Sequence, residues 1–334
     1  MSIHPLRALV LATSLLLSGT VLAAPAAAPL DIQQVLKEER AWAGLTSKTL
    51  TVGDIQWAYS EGGDPAKPTV MLVHGLSGSR DNWNRVARYL TPSFHVVIPD
   101  LPLHGDTRAP ENYDAQIASL TESLRRFAEA GNFTQNLHIA GHSLGGAIAG
   151  LYASMYFQDT QSLLLVDTAG VYASAQSPYL KDPNNLRQLL VQKPGDFARV
   201  LKIAMNQPPF IPGSLLQSQE QLMISHSADT ARVINRMIET YGYYTPDSFA
   251  TAVRAIEAPT LVIWGEKDAI IDAGVVPELT ANLKNEEPPV ILQGIGHTPI
   301  LEAEQLVVQH YLPFLRKTQA TPNKFAPRPA AAQP

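Results

Sequence analysis

The sequence contains no cysteine. That excludes a disulfide framework, a thiol nucleophile, a cysteine metal site and the lipidation site of a bacterial lipoprotein. It is also poor in charge: 16% of 334 residues are Asp, Glu, Lys or Arg, and the net charge is -5. No basic footprint for nucleic acid is present, and no strong charge of either sign selects a substrate. The metal-binding pattern H-E-x-x-H is missing, as are clustered histidines and an acidic loop with calcium spacing. No G-x-x-x-x-G-K-[ST] or G-x-G-x-x-G follows a strand, so nucleotide binding is not expected. The sequence therefore implies no cofactor. With 45% hydrophobic residues it suits one large domain, or a core carrying an insertion.

Long apolar runs are scarce too. The longest, Ala8 to Ala23, spans 16 residues after a single arginine, Arg7. A bilayer span needs about 20. Residues 1–23 read as an export signal cut after Val21-Leu22-Ala23, or as an anchor that stays uncleaved through AAPAAAP. Either reading places the folded part outside the cytoplasm, as a periplasmic or secreted protein, with membrane association through the N-terminus in the second case. At the other end, residues 317–334 are rich in Pro and Ala without apolar periodicity and read as a disordered tail.

Between these ends, TLTVGDIQWAYSEGG alternates like a strand pair turning at Gly53-Asp54. The short apolar runs PTVMLVHG, FHVVIPDLP, LHIAGHS and SLLLVDTAG each end in turn chemistry, as strands buried on both faces of a parallel sheet do. Ile117, Leu120, Leu124 and Phe127 recur at helical spacing, as do Ile148, Leu151, Tyr152 and Met155. Strand signals vanish across residues 171–256, where helical stripes such as Val233, Ile234, Met237 and Ile238 lie between proline-marked segments. They resume in PTLVIWGEKD and PPVILQGIGH, before a last helix that holds Leu306, Val307, Tyr311 and Phe314. The expectation is a mostly parallel, doubly wound α/β sheet. Its core spans residues 24–170 and 257–316, and a helical insertion covers 171–256.

Gly141-His142-Ser143-Leu144-Gly145 fits G-x-S-x-G between a buried strand and a helix. A serine on such a sharp turn projects its hydroxyl clear of the sheet, and small neighbours let the backbones approach. A hydroxyl needs a base, and the base needs an acid to fix its tautomer. Of nine histidines, His297 in GIGHTP follows an apolar strand on a glycine-flanked loop. His142 adjoins the serine but points elsewhere if Ser143 is the apex. His138 alternates within a strand as a packed residue, and His74 and His104 suit structural hydrogen bonds. Asp268 closes the strand TLVIWGEKD and is preferred as the acid, with Asp167 in LLLVDTAG a rival. The amides of Leu76 and Leu144 are the expected donors to an oxyanion.

From about residue 48 to 316 the chain resembles the α/β-hydrolase superfamily, through VHGLSGSRDNW, VVIPDLPLHG, AGHSLGG, LVIWGEKD and GIGHTP in order. Within it, SLLLVDTAGVYAS and NQPPFIP resemble bacterial lipases and esterases of the cold-adapted Moraxella and Psychrobacter type, and membrane-bound phospholipase A enzymes of Pseudomonas. The resemblance implies the α/β-hydrolase fold, Ser143 as nucleophile, His297 as base, Asp268 as acid, and Leu76 and Leu144 at the oxyanion hole. It also implies that the insertion is a lid. Two departures stand out: there is no cysteine to lipidate, and LPLHGDT replaces the commoner LPGHGxS.

The leading expectation is a carboxylic ester hydrolase acting on lipid acyl chains, a lipase, esterase or phospholipase A. Ala204, Met205, Pro208, Pro209, Phe210, Ile211 and Leu215 supply apolar surface for a chain, with Met205, Phe210 and Ile211 as the candidate substrate-binding residues. The same triad also serves carbon–carbon hydrolases and perhydrolases, since fold does not decide among them. A non-catalytic exported protein that binds a hydrophobic ligand is the alternative outside enzymes. Acyl length, head group and oligomeric state are left open.

Overall fold

The computed structural model describes residues 31–321, 323 and 325. The export-signal or anchor reading of residues 1–23 lies outside the described residues. Among those described, no helix is long and apolar enough to cross a membrane.

Eight strands form one sheet: β1 (Leu45–Val52), β2 (Ile55–Gly62), β3 (Thr69–Val73), β4 (His95–Pro99), β5 (Leu137–His142), β6 (Thr160–Val166), β7 (Thr260–Gly265) and β8 (Val290–Leu292). Their order is β1-β2-β4-β3-β5-β6-β7-β8. Only β1 and β2 run antiparallel to their neighbours, and every pairing from β4 to β8 is parallel.

The continuous apolar runs of the inner strands follow from having two covered faces. In β3, Met71 and Val73 enter one core while Val70 and Leu72 enter the other. Leu163 and Leu165 likewise oppose Leu164 and Val166 in β6, as a side-chain period of two requires. The helix Leu144–Met155 covers one face through Ile148, Ala149 and Tyr152. Met155, expected on its inner side, is 51% exposed. The helix Glu304–Gln319 covers the other face through Val307, Tyr311, Phe314 and Leu315, with Leu306 exposed.

Between β6 and β7 the chain forms helices and turns with no strand, including Asp196–Ala204, Gly213–Ser225, Ser227–Thr240 and Pro246–Arg254. This insertion sits over the carboxyl edge of the sheet. Its packing is shallow in places, and Gly213–Ser225 has no buried residue.

At residues 317–321, 323 and 325 the C-terminal segment departs from its reading as a disordered tail; the rest of 317–334 lies outside the described residues. The last helix continues to Gln319 with Thr318 buried. Gln161 Nε2 donates to the carbonyls of Thr318 (2.7 Å) and Thr321 (2.6 Å). Asn323 Nδ2 reaches the carbonyls of Phe157, Gln158 and Thr160, and the Phe325 ring meets Phe157 edge-on at 5.3 Å. Side-chain amides supply the anchoring here, and composition carries no sign of that.

Candidate active site

Ser143 lies between β5 and its following helix with φ 54° and ψ -120°, a conformation that L residues adopt only under strain. The turn is tight enough that a Cβ on Gly141 would strike the Gly145 carbonyl, and one on Gly145 would strike the carbonyls of Val73 and His74. The two motif glycines are therefore required sterically. Backbone bonds hold the strained turn in place: Ser143 N–H donates to Val166 O (3.0 Å), and Gly146 and Ala169 donate to Ser143 O (2.9 and 3.0 Å).

The turn that follows β8 brings His297 to this serine. Ser143 Oγ–H donates to His297 Nε2 at 2.9 Å, and His297 Nδ1–H donates to Asp268 Oδ2 at 2.7 Å. Asp268 sits three residues beyond β7, its other oxygen accepting from the amides of Ile270 (2.8 Å) and Ile271 (2.9 Å). A carboxylate bonded on both oxygens is fixed in plane and aims one lone pair at the imidazole.

The imidazole is also clamped through its backbone. His142 Nε2–H donates to His297 O (2.6 Å), and His297 N–H donates to Ala204 O of the insertion (2.7 Å). Burial, and next the neighbouring His297, push His142 down to about 3, so it acts as a neutral donor. Glu302 ties the same region together by accepting from the amides of Asn206 (2.9 Å), Gln207 (2.8 Å) and Gly296 (3.1 Å). Neither clamp was legible in the sequence, because both join segments distant along the chain.

The loop after β3 faces the serine: a Cβ on Gly75 would lie 3.1 Å from Ser143 Cβ. Among the described residues, the N–H groups of Leu76 and Leu144 have no protein acceptor. Leu144 N–H also opens the helix Leu144–Met155, where the helix dipole is positive. Arg80 holds the loop by pairing with Asp100 at the end of β4 and with Asp106 (2.6 Å). His74 adds Nδ1–H to Gly75 O (2.8 Å) and accepts from Leu101 N–H (3.0 Å). The unusual Leu103 of LPLHGDT occupies a left-handed conformation, φ 66°, at a cost of about 1–2 kcal/mol. Its side chain is buried in the core, which offsets that strain.

Ser143, His297, Leu76 and Leu144 line one cavity of about 580 Å³, walled mainly by apolar side chains, those of the insertion including Leu186, Met237 and Phe249. Of the three chain-binding candidates, Met205 lines this cavity. Ile211 lines a second cavity of about 320 Å³, between the helix Ile32–Trp42 and the insertion, which Met205 also borders. Phe210 lines neither and is 92% exposed, so its expected place at the chain is corrected. A sequence does not disclose the direction of that ring.

Residues 68–304 match the alpha/beta hydrolase fold family. The chain belongs to that family. It is 31% identical over 305 residues to Lipase 1 of Psychrobacter immobilis, covering 90% of this chain and 94% of that protein. The crystal structure of a candidate lipase, lip1, from Acinetobacter baumannii AYE is 55% identical with a TM-score of 0.87, over 88% of this chain and 98% of that one. A membrane phospholipase A described as a bacterial virulence factor is 34% identical with a TM-score of 0.81, over 86% and 91%. The likeness to bacterial lipases read from the sequence is thus borne out. The α/β hydrolase described here is an enzyme of the lipase/esterase type, in the serine-hydrolase class.

Proposed function

We propose that this hydrolase cleaves carboxylic esters of lipid acyl chains through an acyl-enzyme on Ser143. The observation that carries the reading is the unbroken chain Ser143 Oγ–His297–Asp268, whose serine and histidine line a largely apolar cavity. Ser143 Oγ attacks the ester carbonyl carbon while His297 Nε2 takes its proton. The oxyanion is received by the amides of Leu76 and Leu144. His297 returns the proton to the leaving alcohol, and a water deprotonated by His297 releases the acid. Asp268 holds the tautomer and stabilises the imidazolium. The insertion supplies the acyl wall, which supports a lid role and a preference for chains over small esters. The apolar run at residues 8–23 supports a site of action outside the cytoplasm, and N-terminal sequencing of the mature protein distinguishes a cleaved signal from an anchor.

The test is hydrolysis of p-nitrophenyl butyrate and palmitate by the protein and its Ser143→Ala variant. Loss of about 10⁴–10⁶ in the variant is expected, with rates in the parent that depend on chain length. Equal turnover in both proteins refutes the nucleophile. Flat rates across chain lengths refute the acyl cavity.

A further inference from the structure

The two acids that the sequence leaves as rivals are neighbours in space. β6 and β7 are adjacent and parallel, with Val166 opposite Ile263, so Asp167 and Asp268 emerge side by side at the carboxyl edge. Asp167 has φ 43° and is held across the end of β7: its N–H donates to Ile263 O (3.1 Å), and its Oδ1 accepts from Gly265 N–H (2.9 Å). Its Oδ2 is buried, with no donor among the described residues. One oxygen each of Asp167 and Asp268 and one ring nitrogen of His297 lie within 4.8 Å of one another. Asp268 accepts from two amides and the imidazole, which leaves one of a carboxylate's roughly four acceptor sites open. Among the described residues, no Lys or Arg pairs with either acid.

Two carboxylates buried this close together cannot both stay ionised. We propose that Asp167 carries a proton and donates its O–H from Oδ2 to the Asp268 carboxylate, extending Ser143–His297–Asp268 by a fourth, neutral member. Asp167 is then a positioning residue: it fixes Asp268 in plane against His297 without adding charge. The inference rests on the triad reading for its catalytic consequence only. The surrounding groups agree with a neutral Asp167. Burial first, then the charge of Asp268, hold its carboxyl well above the usual carboxylate range, and Glu302 of the helix Pro299–Glu302 pushes the same way. His297 faces Asp268, His142 backs His297 as a neutral ring, and Tyr172 near Asp268 is kept protonated by burial.

The decisive pair is Asp167→Asn and Asp167→Ala. Asparagine reproduces a neutral acid: its carbonyl accepts from Gly265 and its amide donates to Asp268. Its kcat/KM should stay within about threefold of the parent and the acid limb of the kcat/KM–pH profile should not move, whereas alanine should lower kcat by about 10–100-fold with KM little changed. A shift of the acid limb to lower pH in Asp167→Asn would mean that a negative charge had been removed, and would overturn the proposal. So would an alanine variant with parental kcat. Infrared difference spectra of the parent against Asp167→Asn at neutral pH give a readout independent of catalysis and of the alanine variant's folding. A protonated-carboxyl C=O band lost in Asp167→Asn is expected, and its absence from the parent overturns the assignment. That band is read even if Ser143→Ala retains activity, so failure of the triad and failure of the proton assignment remain distinguishable.

Discussion

The sheet edge and the insertion above it are built on opposite plans. At the edge, Ser143 and Asp268 follow strands buried on both faces, and Ser143, Asp268 and His297 are joined to one another and to backbone amides by hydrogen bonds. The insertion presents apolar helices, one without any buried residue, and touches the triad through main-chain bonds at Ala204 and through Glu302. Under the proposed function, the difference separates chemistry from choice of substrate. Proton transfer needs atoms fixed to a fraction of an ångström, while an acyl chain needs only volume and dryness.

The largest effect should come from disturbing the edge. Asp268→Asn should lower kcat by about 10⁴ through the wrong imidazole tautomer, with an unchanged circular-dichroism spectrum. A loss smaller than tenfold would show that the edge is less exacting than the geometry implies.

In the insertion, Met237→Trp fills the cavity wall. It should reduce kcat/KM for the palmitate ester about 10–100-fold relative to butyrate, leaving butyrate nearly untouched. Equal losses on both esters would place the insertion in the chemistry and erase the distinction.

A subtler contrast lies in pH. Buried His74, His104, His138 and His142 belong to the sheet side, and burial holds all four below the ordinary imidazole range, His104 and His138 to about 4 and His142 to about 3. The unfolded chain takes up these protons at higher pH than the native one. Stability is therefore lost as pH falls from about 6.5 towards 4, by up to about 1.4 kcal/mol per pH unit for each group. Asp167 and Asp100, the latter pushed up to about 6 by burial, act in the opposite sense but are fewer. Thermal unfolding followed across that range should show a falling Tm, and a flat profile would contradict neutral buried imidazoles.

The smallest effect belongs to Phe210→Ala. Hydrolysis of soluble butyrate ester should stay within about twofold, as for an exposed side chain remote from the cavity.

What was legible in the sequence follows the same division. The strand runs and the G-x-S-x-G turn are short-range patterns, and each of Ser143, Asp268 and His297 announces itself by ending a strand. Their meeting needed only the parallel order of the sheet. The relation of Asp167 to Asp268 was hidden because nothing in a linear text says that β6 and β7 are neighbours; the acids read as competitors and lie together. Direction was likewise hidden in the insertion, where Phe210 and Ile211 are adjacent in sequence yet one faces solvent and the other a cavity. Composition misread the start of the C-terminal segment, where Gln161 and Asn323 fasten a stretch that looks featureless.

The bond from His297 N–H to the Ala204 carbonyl bears on any attempt to transplant specificity between relatives. An insertion cannot be exchanged as a detachable cap, because residues 204–207 and Glu302 form part of the seat of the imidazole. A chimaera with its junction inside that stretch would keep Ser143, Asp268 and His297 and still misplace the imidazole. Junctions that leave it intact free the remaining helices for recombination.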